Sequence, residues 1–211
     1  MNEAYLVGYT IGDGCLYSCS HVFSLDPRKS LMDYEITWGD KDLEQLGLIE
    51  RIVKSLFPHV YLKTKIRKKS KGKILRCRRK KVFLHLKELL SKDMKSETKE
   101  NIAAFISGFC DAEGDIGKTN NGTYKGKIYY KPRIQVTQKD KAILEQIKEL
   151  LEKKFNIKSR IHKKWDQDAY ILQISGCKQV SIFKKEINFR NPTKCAKLES
   201  ILSSVQSSPK L

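Results

Sequence analysis

The sequence predicts an α+β fold made of two copies of one αββαββα unit. Three observations predict it. The motif Tyr5-Leu-Val-Gly-Tyr-Thr-Ile-Gly-Asp-Gly14 returns as Phe105-Ile-Ser-Gly-Phe-Cys-Asp-Ala-Glu-Gly114, 100 residues later. Segments with helical apolar spacing alternate with segments of period two, in the same order after each motif. Finally, 40% of the 211 residues are apolar, enough for a packed core.

The repeat extends beyond the motif. Ile36–Leu46 (ITWGDKDLEQL) faces Val136–Ile147 (VTQKDKAILEQI) at the same offset of 100, Lys63–Lys69 faces Lys158–Lys164 at 95, and Thr98-Lys99 faces Thr193-Lys194 at 95. Four matches in one order indicate two units fused head to tail, with residues 1–97 as the first and 98–211 as the second.

In the first unit, Glu3 to Gly12 reads as a helix stopped by Gly14. Leu16–Leu25 and Tyr34–Trp38 read as strands around a loop with Asp26 and Pro27. Asp40 is placed to cap a helix with apolar residues at Leu43, Leu46, Ile49, Ile52 and Val53, which Pro58 ends. Val60–Arg67 and Lys73–Arg79 form a second hairpin around Lys71-Gly72, before a helix from Val82 to Leu90. The second unit repeats the order: helix Lys99–Ala112, strands Ile116–Tyr124 and Lys127–Thr137 around Gly126, helix Asp140–Phe155, strands Lys158–Lys164 and Ala169–Ser175, then helices Lys178–Ile187 and Thr193–Val205. Each copy thus has a four-stranded antiparallel sheet with helices to one side.

Charge points to the partner. Lys plus Arg number 42 against 24 Asp plus Glu, a net +18. A heat-adapted surface enriches both signs, whereas this excess is one-sided. From Lys63 to Lys81 there are 12 basic residues and no acidic one, interleaved with Ile66, Ile74, Leu75 and Cys77. Such a surface attracts polyphosphate. The six cysteines form no Cys-x-x-Cys pair and no His spacing completes a zinc site. The absence of a signal-like leader and of a long apolar run predicts a soluble protein of the cytoplasm or an organelle interior, with no membrane partner.

Gly8 and Gly12, then Gly108 and Ala112, are spaced i, i+4 on one helix face. A helix-interior glycine costs up to ~1 kcal/mol relative to alanine, so close approach of a second helix is the natural reason for them. Packing the two helices on these faces brings Asp13 and Glu113 together at their C-terminal ends. Two close carboxylates either share a proton or bind cations, and helix C-termini add partial negative charge and free carbonyls, here those of Gly12 and Ala112. Hard oxygen donors suit Mg²⁺, with Mn²⁺ as an alternative and Ca²⁺ as a non-catalytic substitute. A metal cluster on a basic protein points to phosphodiester hydrolysis.

Leu6–Gly14 and Ile106–Gly114 resemble the two nonapeptides that name the LAGLIDADG family, and the layout is similar to its single-chain, two-motif, intron-encoded members. The resemblance implies two sheets forming a saddle over DNA, the motif helices at the interface, and the eighth motif residue, Asp13 and Glu113 here, as metal ligand. Asp111, at the sixth motif place, is then structural or solvent-facing, since the first copy has Ile11. The family places polar residues around the attacking water. Gln138 resembles one such position, and the first copy departs from it with Trp38. Lys139, Lys99 and Lys194 are candidates for a pocket cation.

The alternating strands offer Arg76 and Arg78, Lys131, Arg133, Gln135 and Thr137, and Gln173 and Ser175 to one face. Arg and Gln pair bidentately with guanine and adenine. At roughly 10 bp per half, a monomer would cover a long, asymmetric duplex. The expected activity is therefore site-specific, metal-dependent cleavage of double-stranded DNA. The alternatives are an RNA-splicing maturase with intron RNA as partner, or a non-cleaving DNA-binding regulator. A start at Met1 and an end at Ser208-Pro209-Lys210-Leu211 without splicing residues predict a free-standing protein of a mobile intron rather than an intein.

Overall fold

The computed structural model describes residues 1–22, 30–66, 72–124 and 127–206. The predicted loop at Asp26-Pro27, the turn residue Lys71, Gly126 and the C-terminal Ser208–Leu211 lie outside the described residues.

The elements follow the expected order. Helix α1 (Asn2–Asp13) leads into strands β1 (Gly14–Val22) and β2 (Ser30–Asp40), helix α2 (Leu43–Leu56), strands β3 (Leu62–Ile66) and β4 (Lys73–Cys77), and helix α3 (Lys80–Leu90). After a 3₁₀ turn at Met94–Ser96, the second half runs α4 (Lys99–Glu113), β5 (Gly114–Tyr124), β6 (Lys127–Gln138), α5 (Lys141–Phe155), β7 (Arg160–Lys163), β8 (Tyr170–Ser175) and α6 (Cys177–Glu186). A last helix, α7 (Pro192–Gln206), follows. All strand pairs are antiparallel, in sheets ordered β1-β2-β4-β3 and β5-β6-β8-β7, as an α+β fold with two four-stranded sheets requires. No helix among the described residues is long and apolar enough to cross a membrane.

Side-chain caps start α2, α4 and α5. Asp42, Thr98 and Asp140 accept hydrogen bonds from the backbone N–H of Glu44, Asn101 and Ala142. Asp42, not Asp40, thus caps α2. Asp40 ends β2, where its carboxylate accepts from Asp42 N (2.9 Å) and from the Tyr9 hydroxyl (2.8 Å). Strand β2 is longer than its apolar alternation indicated, because pairing with β1 continues as far as Ser30.

Alternate strand residues decide what is core. Ile36 and Trp38 on β2, Leu75 and Cys77 on β4, Ile134 and Val136 on β6, and Leu172 and Ile174 on β8 are buried and join the helices in one apolar cluster that spans both halves. Full burial of such a side chain is worth roughly 1.5–3 kcal/mol. The other face of each sheet carries the polar residues.

The repeat register needs one correction. Gly14 pairs with Trp38, whereas Gly114 pairs with Val136, so the second hairpin is two residues shorter. Trp38 therefore matches Val136, and the counterpart of Gln138 is Asp40. Trp38 is fully buried and donates its indole N–H to Thr10 Oγ1 (2.9 Å).

Candidate active site

The two motif helices meet backbone to backbone. A Cβ on Gly8 would overlap the Phe105 carbonyl oxygen and lie 2.9 Å from Phe109 N; a Cβ on Gly108 would overlap the Tyr5 carbonyl oxygen and lie 3.0 Å from Tyr9 N. One turn on, a Cβ at Gly12 would overlap Ala112 Cβ and stand 3.0 Å from Glu113 Cγ. All four small residues thus lie in the helix contact. The same contact puts the Glu113 side chain against the last turn of α1, whose final residue is Asp13.

The surroundings of Glu113 come from three elements. Gln138, at the end of β6, donates through Nε2 to Glu113 Oε1 (3.4 Å), and its own Oε1 accepts from Lys139 N (2.9 Å), which fixes the amide. Lys194, in the first turn of α7, donates its ammonium to the carbonyls of Asp111 (2.5 Å) and Cys110 (3.1 Å). Burial raises the Glu113 carboxyl above its ordinary range; Lys194 and the Gln138 amide act the other way. Burial is also the main reason the Tyr9 hydroxyl is held far above its usual range, followed by Asp40 and then the charge on Asp13.

Of the three candidate lysines, the structure brings one ammonium to the motif. Lys194 lies on the C-terminal end of α4. Lys139 is exposed and meets the cluster through its backbone N–H. Lys99 is at the opposite end of α4, where it donates to Glu186 (2.6 Å) and covers the Phe155 ring (5.4 Å). The pairing of Lys99 with Lys194 fails because Thr98 caps α4, whereas Thr193 lies inside the first turn of α7 behind the cap Asn191.

Asp111 is structural rather than solvent-facing. It is 1% exposed, and its Oδ2 accepts from the Tyr5 hydroxyl (2.6 Å), Arg190 N (2.8 Å) and Asn191 N (3.1 Å). Gln45 donates to the same hydroxyl (3.0 Å), and the Arg190 guanidinium lies over the Tyr5 ring (4.5 Å). Asn191 reaches on to Asp42 (2.9 Å), so the start of α7 fastens both halves. The sequence predicted only a helix over Thr193–Val205 here.

No group of three or more His, Cys, Asp or Glu side chains able to hold a metal occurs among the described residues. What remains is the two carboxylates of Asp13 and Glu113, the last residues of the packed helices α1 and α4. That set fits a hard cation such as Mg²⁺, which keeps waters and completes its shell with substrate phosphate oxygens.

The expected recognition residues face away from the core. Arg76 stands between buried Leu75 and Cys77, and Arg78 follows just past β4. Lys131, Arg133, Gln135 and Thr137 alternate with buried Pro132, Ile134 and Val136. Gln173 pairs with Gln135, and Ser175 with Arg133. The Arg133 guanidinium lies across Gly117, its Nε 3.3 Å from where a Cβ would be.

Residues 100–188 match the family of LAGLIDADG-like domains. No curated protein sequence matches the chain. Among solved structures, the homing endonuclease I-DmoI in complex with DNA and Mn is 25% identical, covering 89% of this chain and 96% of that one with a TM-score of 0.65. I-LtrWI bound to target DNA, a LAGLIDADG homing endonuclease, is 11% identical, covering 98% of this chain and 91% of that one with a TM-score of 0.71. The meganuclease I-SmaMI bound to uncleavable DNA is 13% identical, covering 98% and 92%, with a TM-score of 0.68. The resemblance drawn from the two nonapeptides therefore stands, and the chain has the fold of the LAGLIDADG homing endonucleases.

Proposed function

We propose that this protein is a site-specific endonuclease that binds double-stranded DNA as a monomer and hydrolyses one phosphodiester in each strand with divalent metal. The observation that carries the proposal is the reciprocal packing of Gly8 on Phe105 and Gly108 on Tyr5, which sets Asp13 and Glu113 at neighbouring helix ends on a strongly basic chain. Residues 1–97 and 98–211 then act as two halves, each laying a sheet along one part of the target.

Asp13 and Glu113 would hold the cation, with the carbonyls of Gly12 and Ala112 as further oxygen donors. Bound there, a divalent ion lowers the pKa of water and stabilises charge on the leaving oxygen. Structures of I-DmoI with DNA include Mn, Ca and Mg, which supports divalent metal use in this fold.

The chain's own side chains do the rest. Gln138, its amide fixed by Lys139 N, orients a water beside Glu113. Lys194 spreads positive charge over the end of α4 and opposes the upward pull of burial on the Glu113 carboxyl. Asp40, the equivalent of Gln138 in the first half, is engaged with Tyr9, so the two strand-cutting centres are unequal. Arg76, Arg78, Arg133, Gln135, Gln173 and their neighbours supply base and phosphate contacts. Their different identities in the two halves imply an asymmetric target.

Incubating the protein with a randomised duplex library and Mg²⁺, then sequencing the cut ends, tests this reading. Both strands should be cut at one long, non-palindromic sequence. Intact DNA, or ends scattered without a common sequence, would count against it.

A further inference from the structure

Two arginines on the outer face of the first sheet share one carboxylate. Arg76 and Arg78 stand two residues apart on the face away from Leu75 and Cys77. Between them lies Glu35 of β2, whose Oε2 accepts from Arg78 Nε (2.8 Å) and whose Oε1 is 3.0 Å from Arg76 Nε. The Arg76 Nε is enclosed, and its N–H does not point at the carboxylate oxygen, so this contact is an ion pair without a directed hydrogen bond. The Glu35 side chain is 17% exposed, against 25% for Arg76 and 60% for Arg78. Tyr17, directly across from Glu35 on β1, is 57% exposed and walls the other side. The second sheet is built differently: Arg133 rests on Gly117, and Asp115 pairs with Lys197 of α7 (3.1 Å).

Both contacts to Glu35 are made through Nε. A guanidinium held by that edge keeps its two terminal nitrogens for a ligand, and that pair matches guanine O6 and N7 in the major groove. A free arginine loses rotamer freedom when it is ordered, and a shared carboxylate holds both guanidinium groups near one place before DNA arrives. It also cancels one of the two positive charges, which weakens indiscriminate attraction to phosphate while leaving the directed donors in place.

Resting on the DNA-recognition reading above, we propose that Glu35 is a specificity-determining residue: it presets Arg76 and Arg78 as one guanine-reading unit, so the first half of the protein recognises a pair of guanines a few base pairs apart in duplex DNA.

The test is a bind-and-sequence selection on a randomised duplex, using the full chain with Ca²⁺, for the wild type and for Glu35→Gln, Glu35→Ala, Arg76→Ala and Arg78→Ala. The wild type should select guanine at two positions of one half-site. Each arginine variant should lose one of them. Both Glu35 variants should lose preference at both, by about tenfold, the scale of a bidentate contact, while total affinity holds or rises and preferences in the other half-site stay unchanged. Two outcomes overturn the inference alone: a Glu35→Gln profile identical to the wild type, or lost cytosine preference at one position, which would make Glu35 a base reader itself. A wild type that binds with no preferred base anywhere would overturn the recognition reading and the inference with it.

Discussion

At Gly8 a single methyl group would meet the carbonyl oxygen of Phe105, and the same holds for Gly108 against Tyr5. Neither obstacle is a movable side chain, so Gly8→Ala and Gly108→Ala must push the helices apart. Each should cost about 2–3 kcal/mol in denaturant unfolding. Gly47→Ala is the control: in α2 the added carbon meets only the tip of Arg51 at 3.6 Å, and the change should stabilise by up to ~1 kcal/mol. Equal effects at Gly8 and Gly47 would contradict the close packing. These glycines and the acids after them were legible because each rule-breaking feature occurs twice at matching places. Asp40 was not. Two residues are missing from the second hairpin, so ungapped matching set Gln138 against Trp38 while still keeping the period-two pattern of both strands intact. Glu35 was equally invisible, since its two partners lie on a strand some forty residues away and only the register of β2 on β4 brings them together.

Helix α7 shows what an element adds that no motif announces. Its start offers the N–H groups of Arg190 and Asn191 to Asp111, and its Lys194 closes the end of α4. Asp111→Ala would leave these two N–H groups and the Tyr5 hydroxyl without their acceptor inside the protein. The expected cost is about 3 kcal/mol, with amide exchange accelerating first at residues 190–194. Loss of protection spread evenly over the chain would mean that Asp111 does not anchor this helix. The sequence predicted a helix over Thr193–Val205. Its docking site was hidden, because a buried acid in a helix is indistinguishable in one sequence from a solvated one. Helix α2 shows the converse: Asp42 accepts from Glu44 N and caps it, whereas Asp40 ends β2 and is held by Tyr9.

For the molecule as a whole, two sheets on one chain with a net charge of +18 define the expected mode of binding. One chain should occupy one duplex, measured by sedimentation of the complex; two chains per duplex would contradict the fused-repeat account. The acid pair is expected to cut while the sheets bind. Asp13→Asn and Glu113→Gln remove charge and keep shape, and terms that lower the barrier are separable from those that hold the duplex. On the target recovered from the library, with Mg²⁺, each variant should lose double-strand cleavage by orders of magnitude yet shift DNA in a gel at near wild-type concentration. Cleavage of both strands by both variants at near wild-type rate would contradict the assignment.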